Sequence, residues 1–565
     1  MVSKKTNGST EARTISERLN QGAYSYYSST AVVHSGDRST AAGLKRFFAA
    51  ALLSSSSIMV LSSPASALGP AACNPVMPAN GTTVNCTGVT TSSQDFTGDN
   101  LTIIADENFN QDTSGNTIGA QRVNAGIFIT GSGGTIQHSG TIKTGEIPEG
   151  MGTYGRHNGL YIIGGTGNVS AENTATGSIT TTAVDSAGIQ VSATTGTSTA
   201  INRGTINTSG ENSDGIYSSN YATSIATNTG SITVTGDGSR GIVTNGNTTT
   251  VNNTGTVSAT GSGTYGVHAS SFSVATTNVT NSGTITQSGA AGMTRFGAAA
   301  IFATGPTVNV TNTSTGTITG TDVALRIGYG NTVTIVNDGT MNGDVNAARR
   351  GPGRIKAVST LSLTNSGTIN GQVVTDGSFA ASITNNGGTI GDGTYATHTG
   401  AQDDVVTITG SGNVINGAFR DDGGTGVGNN VINFNQSDIL TLNGASRGYA
   451  FFGFETANFN SGTTVIAQER GIGTNRYMGT SQVNINAGAT LSTSSMNLGI
   501  NTNQLTVSGR GTTRGTLHAP AGSNIVVTGG DTTFNAGGRF RVGVASDTSA
   551  GYLNGGSGTV TFNAG

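Results

Sequence analysis

Tryptophan is absent, cysteine occurs twice, proline eight times, and only 10% of the 565 residues are charged. Each shortage removes a class of protein. With a net charge of −3, nothing draws nucleic acid electrostatically, so no nucleic-acid partner is expected. Local basic spots such as Arg349, Arg350, Arg354 and Lys356 sit in a Gly/Pro segment that reads as a solvated loop. Two cysteines without a neighbouring histidine cannot complete a four-ligand zinc site. Thr, Ser and Asn fill the places that Lys and Glu usually hold, which suits strands and turns better than helices. The 89 glycines show no every-third-residue period, which excludes collagen. A Gly/Ser/Thr-rich chain can also be a disordered linker, but here Val and Ile recur at fixed offsets, which linkers lack.

What is present is a repeat. One word, Asn-x-Gly-Thr-Ile and its relatives, returns as HSGTI at 138–142, NRGTI at 202–206, NTGSI at 228–232, NTGTV at 253–257, NSGTI at 281–285, NDGTM at 337–341, NSGTI at 365–369 and NGGTI at 386–390. ATGSI at 175–179 and STGTI at 314–318 fit with the Asn displaced. The glycines of this word are Gly140, Gly177, Gly204, Gly230, Gly255, Gly283, Gly316, Gly339, Gly367 and Gly388; the first six step by 37, 27, 26, 25 and 28 residues. A second word lies between copies of the first: AGIFIT at 125–130, AGIQVS at 187–192, DGIYSS at 214–219, RGIVTN at 240–245. A third, alternating segment precedes each Asn, as in TTTVNN at 248–253 and TVTIVN at 332–337.

Three short strands per unit of about 25 residues, each ended by Gly or Asn, predict an all-β fold: a right-handed single-stranded parallel β-helix with three-strand coils. Alternation places the Ile of GTI inside and its Thr outside, so Ile and Val stack into a narrow core under a wet surface of Thr, Ser and Asn. Asn-x-Gly is expected at the corners, because both residues tolerate positive φ, and stacked Asn side chains can hydrogen-bond as a ladder. The competing reading, Asn-Gly hairpins with antiparallel strands, predicts a period of two strands and no fixed third segment. One coil per ~26 residues gives about 18 coils and a rod of roughly 85 Å. Regular repeats are expected over 90–400 and diverged ones over 401–565, with loops leaving near 345–357 and 417–430.

The N-terminal part reads differently. Residues 1–44 are a polar extension; 45–67 have the organisation of a signal peptide. Lys45 and Arg46 supply positive charge, Phe47 to Leu61 the apolar stretch, and Pro64-Ala65-Ser66-Ala67 a helix break and an A-x-A site with cleavage after Ala67. The apolar stretch is too short for a transmembrane helix. Cys73 and Cys86, within the 68–89 segment, are expected to close one small disulfide loop in an exported chain.

The signal peptide, the NPVMPANGTTVNCTG segment at 74–88 and the whole N-S/T-G-T-I region together resemble the passenger domain of an autotransporter, the type V secretion family. The resemblance implies export through the periplasm to the cell surface or outer membrane of a Gram-negative bacterium, or secretion. It implies a partner too, an outer-membrane translocator barrel formed by the protein's own C-terminus. Barrel strands of about ten alternating residues with aromatic girdles are not seen in these residues. GTVTFNAG breaks off in mid-pattern, so the chain is expected to be part of a longer protein. The implied function is a structural and adhesive stalk that binds a host surface or glycan, or self-associates. The alternatives are a polysaccharide-active β-helix lyase or hydrolase, and a two-partner secreted adhesin without its own barrel.

No catalytic, cofactor-binding or metal-binding set emerges, so neither an enzyme nor a cofactor is expected. GSGTYG at 261–266 matches G-x-G-x-x-G but lies inside a coil, with no helix to follow. His34, His138, His157, His268, His398 and His518 show no metal-ligand spacing, and the calcium repeat G-G-x-G-x-D is absent. Asp403-Asp404 and Asp421-Asp422 are adjacent pairs whose members point to opposite faces. Surface solvation or a loop calcium site is the expectation for them. A carboxylate and Arg/Lys cluster converging on one face would favour the enzyme.

Overall fold

A computed structural model describes residues 73–565 apart from 115–124, 146–156, 273–274, 291–296, 329, 348–358, 376–378, 401, 423–428, 444–448, 468–470, 473–479, 495–497, 545–549 and 564–565. The polar extension, the signal segment with Ala67, His34 and the basic group Arg349, Arg350, Arg354 and Lys356 lie outside the described residues.

The described chain contains no helix and winds as a parallel β-helix. One coil runs through Thr197–Asn202, Thr205–Thr208 and Asp214–Asn220, which supply the first, second and third faces. The next runs through Thr223–Asn228, Ser231–Val234 and Arg240–Gly246. Each strand pairs in parallel with its counterpart one coil on, in unbroken register. Antiparallel strand pairs among the described residues are confined to Cys73–Asn74 with Thr83–Cys86, where Cys73 and Cys86 form a disulfide, and Gly509–Arg510 with Thr513–Arg514. Hairpins therefore do not build the repeat. From Ile439 onward the second face continues as a separate five-stranded sheet.

Register makes equivalent residues touch. Ile142, Ile179, Ile206, Ile232, Val257 and Ile285 lie directly over one another and are fully buried. Their neighbouring threonines face outward, as alternation requires. The repeat's second word interlocks with the first: a Cβ at Gly215 would stand 2.3 Å from Cγ2 of Ile232, so only glycine leaves room for that isoleucine.

Two expectations about the Asn-x-Gly corner are corrected. None of its ten glycines has a positive φ. The residue there must be glycine because successive corners nearly touch: a Cβ on Gly255 would lie 2.1 Å from the Gly230 carbonyl oxygen. The left-handed conformation belongs to the next corner, before the third face, where Asp185, Asn212, Gly238 and Gly263 occupy it on successive coils. These are the residue types that adopt it at least cost. Nor is the corner asparagine part of the wet surface. Asn173, Asn202, Asn228, Asn253, Asn281, Asn312, Asn337, Asn365 and Asn385 are all buried.

They form one continuous hydrogen-bonded file. Each Nδ2 donates to the next Oδ1 at 2.6–2.9 Å, from Asn173 to Asn202 (2.8 Å) through to Asn385, which donates to Asn413 (2.9 Å). The same Nδ2 groups also reach backbone carbonyls, as Asn253 does at Gly255 (3.2 Å) and Thr284 (3.3 Å). His138 stands at the head of the file, with Nδ1 2.9 Å from Asn173 Oδ1. The direction of the file requires Nδ1 to be the donor. Burial, opposed by that bond, lowers the His138 pKa to about 4, so the ring is neutral. Beyond Asn385 the same rung is filled by Ile408, Phe434 and Phe459, and the two phenylalanines stack at 4.8 Å.

Removing one buried member strands its neighbours. Asn253→Ala takes from Asn228 Nδ2 its shortest acceptor, leaving it the Gly230 and Thr256 carbonyls, and takes from Asn281 Oδ1 its donor, and should lower stability by about 2–4 kcal/mol. Asn309→Ala, which removes a half-buried outward rung bonded to Asn278, should cost about 0.5 kcal/mol. Urea unfolding followed by far-UV circular dichroism checks both, and equal shifts would show that the inner file has no special weight. Gly255→Ala should destabilise the chain in the same assay, against the usual small gain from Gly→Ala.

Candidate functional site

The outward residues of the first face are mainly threonine, serine and asparagine, as in Thr248–Asn253 and Thr307–Asn312. The third face differs. One outward rung per coil carries an aromatic, imidazole or cationic side chain over much of its length. It runs Phe128 to Tyr161, and later Tyr217, Val243, His268, Phe302 and Arg326, and then His398, Arg420 and Phe452.

The N-terminal part of this file is packed. Phe128 and Tyr161 stack at 4.8 Å, and Tyr265 and Phe302 at 5.3 Å with His268 beside both rings. Tyr265, Ala299, Phe302 and Val323 form a small apolar cluster separate from the main core. Burial and then the nearby Arg240 charge push His268 down to about 3, so it is neutral. Arg240 grips Asp214 through two parallel bonds, Nε to Oδ1 at 2.9 Å and Nη2 to Oδ2 at 2.8 Å. Tight packing makes this stretch a structural seam.

The C-terminal part is more open and brings together residues on neighbouring coils. Asp422 accepts from His398 Nε2 and from Arg420 Nε, each at 2.5 Å. Arg420 Nη1 donates to the Tyr395 hydroxyl at 3.3 Å, and its guanidinium carbon lies 5.4 Å from the Tyr395 ring centre. The His398, Arg420 and Asp422 side chains are 28%, 28% and 33% exposed. Burial alone would raise the Asp422 pKa, but the His398 and Arg420 hydrogen bonds outweigh it and hold the carboxylate ionised below its usual range.

Behind this cluster lie the partners of the two acidic pairs. Asp404 and Asp421 are fully buried, which corrects the expectation of surface solvation. Asp421 accepts from Thr399 Oγ1 (3.3 Å) and Asn430 Nδ2 (2.5 Å); Asp404 Oδ1 accepts from the Ala381 N–H (2.7 Å). Asn430 links the two, since its Oδ1 accepts from the Asp404 N–H (2.7 Å). Burial, then the Asp421 and Asp403 charges, outweigh backbone hydrogen bonds from Ala381 and Gly400 and raise Asp404 to about 7. Among the described residues, no group of three His, Cys, Asp or Glu is placed to hold a metal ion.

The chain matches no family model, no curated protein and no solved structure. The GSGTYG stretch turns a corner into Tyr265–Ser271. His157 is buried, its carbonyl accepting from Thr144 Oγ1 (2.6 Å), and His518 Nδ1 lies 3.0 Å from Ser492 Oγ. Tyr395 and Arg420 escaped the sequence reading. Tyr395 and His398 are three apart, and plain alternation sends them to opposite faces. A register shift between Tyr395 and Thr397 turns both Ala396 and Thr397 inward, and brings Tyr395 and His398 to the same side.

Asp404 sets a pH dependence. Its folded pKa is about 7 against an ordinary 3.8, so between those values the folded chain keeps a proton that the unfolded chain releases. Stability from this group therefore falls as pH rises from about 4 to about 7, by as much as about 4 kcal/mol. Asp404→Asn should unfold at higher denaturant than the parent at pH 8 and lose that advantage at pH 4. A difference between the two proteins that does not change with pH would contradict the burial-driven shift.

Proposed function

We propose that the protein is an exported bacterial surface stalk of the autotransporter-passenger type, structural and adhesive in role. The observation that carries this reading is the parallel pairing of coil on coil, which makes a rod whose coils are held by their neighbours. Such a chain can cross an outer membrane unfolded and fold progressively outside, without a distant contact to wait for. Sparse charge and a single short disulfide loop suit that route. Faces of hydroxyl and amide groups, with an open aromatic and charged cluster on one of them, suit contact with a host surface, a glycan or another copy of the chain.

A polysaccharide-active enzyme is the second reading. It is favoured by the convergence of Asp422, Arg420, His398 and Tyr395 on one rod face, where a carboxylate, a cation and two proton-bearing groups meet.

Expression in a Gram-negative host tests the first reading. Surface-exposed or released chain should begin at Leu68, and protease added to intact cells should degrade it. Chain retained in the cytoplasm with residues 1–67 attached would sink the proposal. The enzymatic reading predicts shortening of polysaccharide chains that His398→Ala abolishes; unchanged chain length after prolonged incubation would exclude it for the polysaccharides tried.

A further inference from the structure

The adhesive reading leaves the ligand open, and the third face narrows it. A ligand that lies there meets groups already fixed in position. Asp422 is held from two sides, and Arg420 is held at both Nε and Nη1. Holding them leaves recognition capacity. A guanidinium has five N–H donors and a carboxylate about four lone-pair sites, and two of each are engaged here. One coil further on, Phe452 is the register partner of Arg420 and is itself buried; half-buried Tyr449 packs beside it, ring centres 5.8 Å apart and tilted by 54°. The cluster therefore sets a donor and an acceptor side by side, with aromatic carbon on the adjoining rung about 4.8 Å away.

We propose that Tyr395, His398, Arg420 and Asp422, with Tyr449 and Phe452 on the next coil, form a binding site for a neutral saccharide unit. Vicinal hydroxyls match the pair of planar groups: one hydroxyl accepts from the Arg420 guanidinium while its neighbour donates to the Asp422 carboxylate. The C–H face of the pyranose ring packs against Tyr449, which buried Phe452 braces, as in small-molecule sites where apolar walls carry a few placed polar groups. Charge selects the class. The Arg420 and Asp422 charges cancel within one 2.5 Å contact, and the carboxyls of Asp421 and Asp403 lie nearby, so a uronate gains nothing from the field. The site rests on the adhesive reading, and gives it a location and a ligand class.

The test uses the full chain on a printed array of neutral gluco-, galacto- and manno-oligosaccharides and of uronate-bearing oligosaccharides. Binding to at least one neutral set is expected. It should weaken roughly tenfold or more in Arg420→Gln and in Asp422→Asn, each of which removes a charged hydrogen-bonding partner. Arg203→Gln, which breaks the exposed Arg203–Glu172 pair elsewhere on the rod, should bind as the parent does. Tyr395→Phe removes one hydroxyl and should show a smaller loss, and an unchanged thermal midpoint shows that it is folded. Retention of uronate-bearing chains alone, retention of no saccharide, or undiminished binding by folded Arg420→Gln and Asp422→Asn would each overturn the site. The adhesive reading is scored separately, by attachment of beads coated with the parent chain to host matrix and to one another. Attachment that survives both substitutions removes the site and leaves the reading, whereas beads that attach to nothing remove the reading itself.

Discussion

In-register parallel pairing governs the rest of this protein. When coil follows coil without slippage, each side chain lies about 4.8 Å from its own counterpart above and below. A position can then hold only residues compatible with themselves. Isoleucine packs on isoleucine along the second face, asparagine bonds to asparagine at the corner, and phenylalanine stacks on phenylalanine further along. A charge fails this condition, because like charges facing one another across strands repel. The low charge of the chain follows directly. Several of the charges that do occur on the rod are paired with the opposite sign across coils, as in Asp214 with Arg240, Glu172 with Arg203, and Asp422 with His398 and Arg420.

The asparagine file shows how a polar group is kept inside such a rod. An isolated buried amide is costly, but in the file each amide is both donor and acceptor to an identical neighbour. The bonds all run one way, so their dipoles add, and the file needs a proper start and finish. Neutral His138 provides a donor at one end, and Asn413 turns its own amide onto the Thr409 carbonyl (2.9 Å) at the other. Beyond that point the rung becomes apolar, which needs no partner of matched polarity. Glycine at the same corner has an equally physical reason: adjacent backbones approach too closely for any Cβ.

At Ala418–Asp421 the outer cluster and an inner carboxyl meet on two sides of one strand. Arg420 faces out and Asp421 faces in, and Asn430 joins Asp421 to the equally buried Asp404. That the outer groups hold one another in place makes the cluster preorganised, which is what a weak-contact ligand such as a saccharide requires.

Much of the architecture was legible in the chain itself. Three recurring words at a spacing of about 25 residues imply three strands per coil, and alternation within GTI implies which side is core. The presence of stacking is a property of periodicity, which sequence carries openly. Other features depend on distances that periodicity does not encode. Whether a corner glycine is demanded by φ or by closeness, and whether the corner asparagine points in or out, depends on how tightly one coil sits on the next. The cluster of Tyr395, His398, Arg420 and Asp422 was hidden for a related reason. Its members belong to successive coils, and a local register shift moves Tyr395 across the sheet, so no counting along the chain brings them together. Sequence decided what could repeat; the winding of one coil upon another decided what meets.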